Sequence, residues 1–345
     1  MSVSAPSPEA ASVPSAPAEL EVRDLSVVYP ARRGRRPARA VDGVNLRIGR
    51  GEIVALIGES GCGKSTLART LVGLIKPTGG QVLYQGTPLA YSGRALKRYR
   101  RQVQLVLQDP GGALNPKQNV YDAVAEGPRI HRLTGRLPQT VHDSLANAGL
   151  RPPEDFVARY PHELSGGQQQ RVVIAGAMAL SPSVLVADEP VASLDASVRG
   201  EILKLLLGLR DGFGLSALVV SHDLGLAWNI ADRVAVMYLG RVVEQGPVEQ
   251  VLLRPRHPYT QALLSVIPDG RPGRRPTLLA GEPPDPTAVP SGCRFHPRCP
   301  RWAAAVGERR AEAACDRREL PVLTVADGDG AAACHLLEPT VLENA

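Results

Sequence analysis

The chain has 345 residues, 43% of them hydrophobic, and a formal net charge of +6. That composition suits a soluble folded protein with one large domain plus a smaller appendage, and excludes a wholly disordered chain. No apolar run approaches the ~20 residues needed to span a membrane and no secretory leader is recognised, so a cytosolic setting, hostile to disulfides, is expected.

Residues 1–18 are almost all Ser, Ala, Pro and Val with a single Glu, and read as a disordered tail. Strand patterns follow at LEVRDLSVVY (20–29) and VDGVNLRI (41–48), separated by the arginine-rich stretch ARRGRRPAR (31–39). That stretch reads first as a solvated loop, with an anionic surface such as lipid headgroups as the sharper alternative. Aromatic residues make up 4% of the chain and do not interleave with the basic ones, so a nucleic-acid partner is not expected. EIVALIG (52–58) reads as a buried strand, STLARTLVGLI (65–75) as a helix and PTGG (77–80) as a turn. From about 92 to 180 the pattern is mainly helical, broken by QDPGGALNP (108–116). Strands return at SVLVADE (183–189) and LSALVVSH (215–222), and RVAVMYLGRVVEQG (233–246) reads as a hairpin turning near Gly240. HPYTQALLSVIP (257–268) reads as a helix, followed by the Pro/Gly-rich connectors RPGRRP and GEPPDPTAVPSG and a cysteine-bearing segment. There is no internal repeat. The expected fold is a parallel α/β core with a helical insertion and a C-terminal extension. In such sheets ligands gather at the C-terminal ends of the strands.

Three apolar runs end in residues with chemistry to offer: 52–58 in a glycine loop, 183–187 in Asp188-Glu189, and 216–220 in Ser221-His222. GESGCGKS (58–65) fits the spacing G-x-x-x-x-G-K-[ST] between a strand and a helix. Its glycines let backbone N–H groups close around a phosphate, Lys64 is placed to reach the β- and γ-phosphates, and Ser65 to ligate Mg²⁺. Cys62 occupies a variable position. Asp188 ends a hydrophobic strand, suited to direct or indirect Mg²⁺ binding, and Glu189 beside it is placed to polarise an attacking water. LSGGQ (164–168) precedes the helical run QQQRVVIAGAMA and caps it, which makes a second phosphate-ready helix end. One loop already serves one nucleotide within the chain, so the second is best explained as a cap on a nucleotide held by another chain.

Together GESGCGKST, the glutamine of VLQDP, LSGGQQQR, LVADEP, SLDA and VSHD resemble, in order, the ATP-binding subunits of ABC transporters. The resemblance implies a P-loop ATPase core with an antiparallel β subdomain and a helical subdomain (about 92–180), spanning residues 19–255. It implies a head-to-tail sandwich in which LSGGQ of one subunit closes on ATP held by its partner. Gly58, Glu59, Ser60, Gly61, Cys62, Gly63, Lys64, Ser65 and Thr66 then surround the phosphates. Gln108 is implied to sense the γ-phosphate and, with Ser65 and Asp188, to hold Mg²⁺. Glu189 looks like the catalytic base, His222 like a γ-phosphate contact, and Tyr29 like the aromatic stacked on adenine. Ser165, Gly166, Gly167 and Gln168 form the cap, and Asp195 is implied at the dimer seam.

QDPGGALNP, DEPVASLDASV and RHPYTQALLSVIP narrow the resemblance to the oligopeptide/dipeptide/nickel importers, with GGALNP after QDP as a small departure. This implies an importer ATPase on the cytoplasmic face of the membrane. Its implied partners are a second ATPase (a heterodimer), two transmembrane permease subunits and an extracytoplasmic solute-binding protein. Dipeptides and oligopeptides lead as cargo, ahead of nickel chelates or other small solutes. A soluble ATP-driven switch acting on nucleic acid or ribosomes is the alternative of a different class.

The extension, 256–345, holds four of the five cysteines, spaced C-x5-C-x15-C-x18-C: Cys293, Cys299, Cys315 and Cys334. The tight C-x2-4-C pairs favoured by zinc are missing, whereas a 4Fe–4S cluster accepts four wider-spaced thiolates, and Pro300 follows Cys299 as in some ferredoxin-type sites. Some members of the resembling family hold such a cluster here. A 4Fe–4S cluster, zinc and free thiols all stay open, with His296 and His335 nearby as ligands or hydrogen-bonding groups.

Overall fold

The protein is seen in a computed structural model that describes residues 18–31, 36–266, 276–279, 281–282, 284–319, 323 and 330–337. The expected tail (all but Ala18), the centre of the arginine-rich stretch and most of RPGRRP lie outside the described residues.

Two sheets organise the molecule. The first is four-stranded and antiparallel. It contains β1 (Ala18–Tyr29), β2 (Ala38–Gly49), β4 (Gly79–Tyr84) and β5 (Thr87–Pro88), in the order β2-β1-β4-β5. The second has seven strands: β3 (Ile53–Ile57), β6 (Val103–Val106), β7 (Val184–Asp188), β8 (Ser216–Ser221), β9 (Arg233–Tyr238), β10 (Arg241–Pro247) and β11 (Ala331–Ala332). Their order is β11-β10-β9-β3-β8-β7-β6, parallel from β9 to β6 and antiparallel at β10 and β11.

Every residue of β3, β7 and β8 is buried, as expected of parallel strands covered on both faces. Alternate side chains divide between two cores. Ile53, Ala55, Ile57, Leu185 and Val219 pack with Ile202, Leu206 and Leu209 of the helix Ala196–Phe213. Val54, Leu56, Val186 and Val220 pack with Val22 and Leu46 of the first sheet and Leu67 and Leu71 of the helix Lys64–Leu71. A third core, around Val124, Leu145 and Val172, joins the helices Val120–Ile130, Leu137–Asn147 and Gly166–Met178.

The C-terminal extension shares the first of these cores. Cys293, Phe295, Cys299 and Trp302 bury into the cluster that holds β3 and β8, and β11 pairs with β10 to edge the main sheet.

Four strands escape the sequence pattern, of which β5 and β11 are two residues long and too short to show a period. The stretch predicted as a turn at 77–80 instead opens β4, where Gly79 pairs with Ser26 across a register irregularity in β1. β6 lies inside the stretch expected to be helical. It is an edge strand with Gln104 and Leu105 only half-buried, so it never shows the unbroken apolar run of β3 or β7. The helix expected to reach 75 ends at Leu71, because Gly73 (φ 72°) turns the chain out of it.

Candidate functional site

The phosphate loop joins β3 to the helix Lys64–Leu71. Gly63 is the N-cap residue of that helix, at φ 110°, and a Cβ there would sit 2.1 Å from the Ala40 carbonyl oxygen, so only glycine fits. Lys64 is buried, and its Nζ donates to the carbonyls of Gly58 (2.7 Å) and Glu59 (2.9 Å). Its charge is therefore held over the loop whose N–H groups a phosphate would meet. Tyr29, 42% exposed, ends β1, and its hydroxyl lies 3.4 Å from the Thr66 hydroxyl.

Neighbouring strands bring the acidic and imidazole groups to the same end of the sheet. Ser65 Oγ donates to Asp188 Oδ1 at 3.2 Å. Burial raises the Asp188 carboxyl above its ordinary value, and the Ser65 hydroxyl opposes part of that rise. One residue on, Glu189 takes a left-handed backbone conformation (φ 50°), with its N–H donating to the Val220 carbonyl (2.9 Å). This turn sets the Glu189 carboxylate 3.3 Å from His222 Nδ1, just beyond the end of β8. Such conformations cost a non-glycine residue ~1–3 kcal/mol and gather at functional sites.

A second group lies on the helical side. Ser165 is the N-cap of the helix Gly166–Met178. Its hydroxyl accepts from the Gln168 N–H, and the Gln168 side chain accepts from the Ser165 N–H, a reciprocal capping box. The segment carrying Asp195 packs beside it: a Cβ on Gly167 would meet Val198 at 2.6 Å, and one on Gly166 would meet Leu194 at 3.7 Å. Asp195 itself is exposed at the start of the helix Ala196–Phe213. Gln108 is exposed after β6, and the turn Pro110–Ala113 that follows packs on the helix of the capping box. Among the described residues no hydrogen bond links Gln108, Asp195 or residues 165–168 to the phosphate loop. The fold thus supplies two half-sites, one around Lys64, Asp188 and Glu189, the other at the exposed helix end.

Patterns in the sequence did not reveal how the extension grips this site. Tyr259 Oη accepts the Glu59 N–H at 2.8 Å, and Arg298 makes a two-pronged pair with the Glu59 carboxylate at 2.7 and 3.2 Å. Tyr259 and Arg298 fall in stretches the sequence had flagged, but only the tertiary structure supplies their partner two hundred residues away.

The four extension cysteines gather in one region, none in a disulfide. Cys293, Cys299 and Cys315 are buried and Cys334 partly so. Burial, then the neighbouring thiols, pushes Cys293 up to about 12 and Cys315 up to about 11. Gly292 makes the approach possible: at φ 67°, any Cβ there would strike the Cys315 carbonyl oxygen at 2.4 Å, while the Cys293 N–H donates to that oxygen. The expectation of a metal finds no support in ligand geometry: no group of three or more His, Cys, Asp or Glu side chains among the described residues could hold a metal ion. His296 turns its ring to the Cys293 carbonyl (2.9 Å) and His335 to the Arg318 carbonyl (2.8 Å), so both hydrogen-bond to backbone.

Residues 41–192 match the ABC transporter family, and residues 243–305 match the C-terminal region of oligopeptide/dipeptide transporters. A putative oligopeptide transport ATP-binding protein of Bacillus subtilis is 43% identical over 92% of this chain and 95% of its own length. The dipeptide transport ATP-binding protein of Escherichia coli K12 is 43% identical over 82% of this chain and 86% of its own. Among solved structures, a component of an ABC transporter complex from Clostridium perfringens superposes with a TM-score of 0.61 at 32% identity, covering 69% of this chain and 91% of that one. An ATP-binding cassette dimer bound to ADP and Pi superposes with a TM-score of 0.59 at 29% identity, covering 66% of this chain and 98% of that one. The chain belongs to the ATP-binding proteins of ABC transporters, in the branch that carries the oligopeptide/dipeptide C-terminal region.

Proposed function

We propose that this chain hydrolyses ATP to power uptake of dipeptides or oligopeptides through separate membrane subunits. The observation that carries the hydrolysis is the convergence of Lys64, Ser65–Asp188 and Glu189–His222 at the C-terminal ends of β3, β7 and β8. The phosphate loop N–H groups and Lys64 bind the β- and γ-phosphates and spread their charge. Ser65 and Asp188 supply the hard oxygen ligands that Mg²⁺ prefers, with Gln108 as a third, and the ion when bound neutralises phosphate charge. Glu189 orients and deprotonates the attacking water, and His222, held against it, faces the γ-phosphate. Tyr29, beside Thr66, stacks on the adenine.

Ser165, Gly166, Gly167 and Gln168 present an exposed helix N-terminus that closes on ATP in a second ATPase subunit, with Asp195 at the seam. Its relatives' names support peptide cargo and weigh against a nucleic-acid or ribosomal switch. No helix among the described residues is long and apolar enough to cross a membrane, in keeping with a peripheral subunit on the cytoplasmic face, bound to two permease subunits and served by an extracytoplasmic binding protein. Reconstitution with the permease subunits tests this: ATP-dependent accumulation of dipeptide in vesicles is expected, and ATP turnover that no peptide stimulates would overturn the cargo.

For the cysteines, we propose a structural 4Fe–4S cluster rather than zinc. What supports it is that all four thiols are free, that Cys293 lies near enough to the other three for them to oppose its ionisation, and that the sequence lacks the tight C-x2-4-C pairs zinc favours. The cluster would tie a tail rich in Pro to the core. Anaerobic purification with iron and sulfide analysis decides it, a colourless iron-free preparation being the outcome against.

A further inference from the structure

The two cysteines nearest in sequence, Cys293 and Cys299, bracket two arginines: Arg298 contacts the nucleotide-binding loop itself, and Arg294 contacts the turn that is hydrogen-bonded to it. Arg298 pairs through both terminal nitrogens with the Glu59 carboxylate (2.7 and 3.2 Å), its side chain only 9% exposed. Its Nη1 also meets the Tyr238 hydroxyl at 3.5 Å. Tyr238, Tyr259 and Phe295 pack around this pair with centroids 4.6–5.4 Å apart, Phe295 edge to face with both tyrosines and the two tyrosines tilted to each other. Tyr259 then fixes the Glu59 N–H. Glu59 is thereby held at its backbone N–H by Tyr259 and at its carboxylate by Arg298. Its carbonyl is the acceptor for Lys64 Nζ (2.9 Å) and for the Cys62 N–H (3.3 Å).

Arg294 works from the other flank. Buried, it donates to the Leu239 carbonyl and to Asp42, and the next N–H, of Gly240, donates to the Cys62 carbonyl at 2.8 Å. The loop is therefore gripped at Glu59 and at Cys62 by side chains of one seven-residue segment, directly and through one turn.

We propose that Arg298, with Tyr259, is a positioning residue for ATP binding. By clamping Glu59 it sets the carbonyl that orients Lys64, so the affinity of the site for nucleotide depends on the C-terminal extension. This inference rests on the ATP-binding function and adds the extension as part of that site's scaffold. A two-pronged charged hydrogen bond holds direction as well as distance, which a lysine cannot reproduce.

The test is a titration of a fluorescent ATP analogue into the full chain, run with wild type, Arg298→Met, Arg298→Lys, Glu59→Gln and the double variant Glu59→Gln/Arg298→Met. Affinity is expected to fall about tenfold for Arg298→Met and for Glu59→Gln, and by an intermediate factor for Arg298→Lys. The double variant should match the single ones, because both remove one shared interaction. In the assembled complex the loss should fall on KM, with kcat changed less than about threefold. Glu59→Gln alters no residue of the extension and nearly keeps the side chain's shape, so it reports even if Arg298→Met unfolds. Wild-type affinity in a folded Glu59→Gln protein, or strictly additive losses in the double variant, would overturn the proposal. A wild-type chain that binds no nucleotide would instead overturn the ATPase function itself.

Discussion

The phosphate loop and the cysteine segment are both short irregular stretches beside the same sheet, yet they are made in opposite ways. The loop is shaped largely by backbone: Gly63 fits against the Ala40 carbonyl, and Gly58 and Glu59 offer their carbonyls to Lys64. The segment at 291–300 is shaped by side chains with distant partners: Phe295 among Tyr238 and Tyr259, Arg294 on Asp42, Arg298 on Glu59. A backbone-built site announces itself as a local glycine pattern. A site built from side chains reaching across the fold has no local spacing to announce it.

Four experiments break or sharpen that contrast, taken from the largest effect to the smallest. Glu189→Gln, on the backbone-built side, is expected to cut turnover of the assembled complex by about 10²–10⁴-fold while ATP affinity stays within about threefold, since one carboxylate base is lost and the loop is untouched. Turnover at the wild-type rate would take Glu189 out of that role. On the other side, Phe295→Ala empties a fully buried ring from a core shared with β3 and β8, and should cost ~3–5 kcal/mol in urea unfolding. A single transition is expected, because the extension and the sheet share that core; an early separate transition would mean that the extension folds by itself.

The pH dependence of stability probes the same joint. His257 is fully buried, its Nδ1 accepts the Tyr259 N–H at 3.1 Å, and burial lowers it to about 3. Below its ordinary value near 6.5 the unfolded chain binds a proton that the folded one refuses. Stability contributed by neutral His257 is therefore intact at pH 7 and falls as the pH drops from about 6.5 towards 3, by about 1.4 kcal/mol per unit. Melting temperatures at pH 7 and pH 5 should show a drop that His257→Asn, which keeps a capping acceptor but does not titrate, makes shallower; equal slopes would remove His257 as the cause. Smallest of the four, Ser165→Ala deletes half of the capping box and is expected to cost ~1 kcal/mol. Its diagnostic effect is weaker ATP-driven pairing of subunits, read by analytical ultracentrifugation with Glu189→Gln in the background. Unchanged pairing would leave the serine as a helix cap alone.

Much of the candidate site was legible because its residues lie in short contiguous runs at strand ends. A buried parallel strand needs a continuous apolar stretch, so VLVA before Asp188 and ALVV before Ser221 and His222 announced where chemistry would sit. β6 stayed hidden because it is a four-residue edge strand, VQLV, whose apolar run is broken by Gln104, and β4 because its first residues are two glycines that also signal a turn. In the extension the cysteines were visible as residue types, and the structure gathers them, but a metal among them still rests on proposal.

Sequence alone determined the glycine loop, the Asp188–Glu189 pair, the capped helix at Ser165 and the family, since each depends on local backbone conformation or on the period of buried strands. Only the tertiary structure decided that the C-terminal extension is built into the core, with Tyr259 and Arg298 closed on Glu59. Pairings over two hundred residues depend on how strands order in the sheet and which faces pack together, and no local period records that.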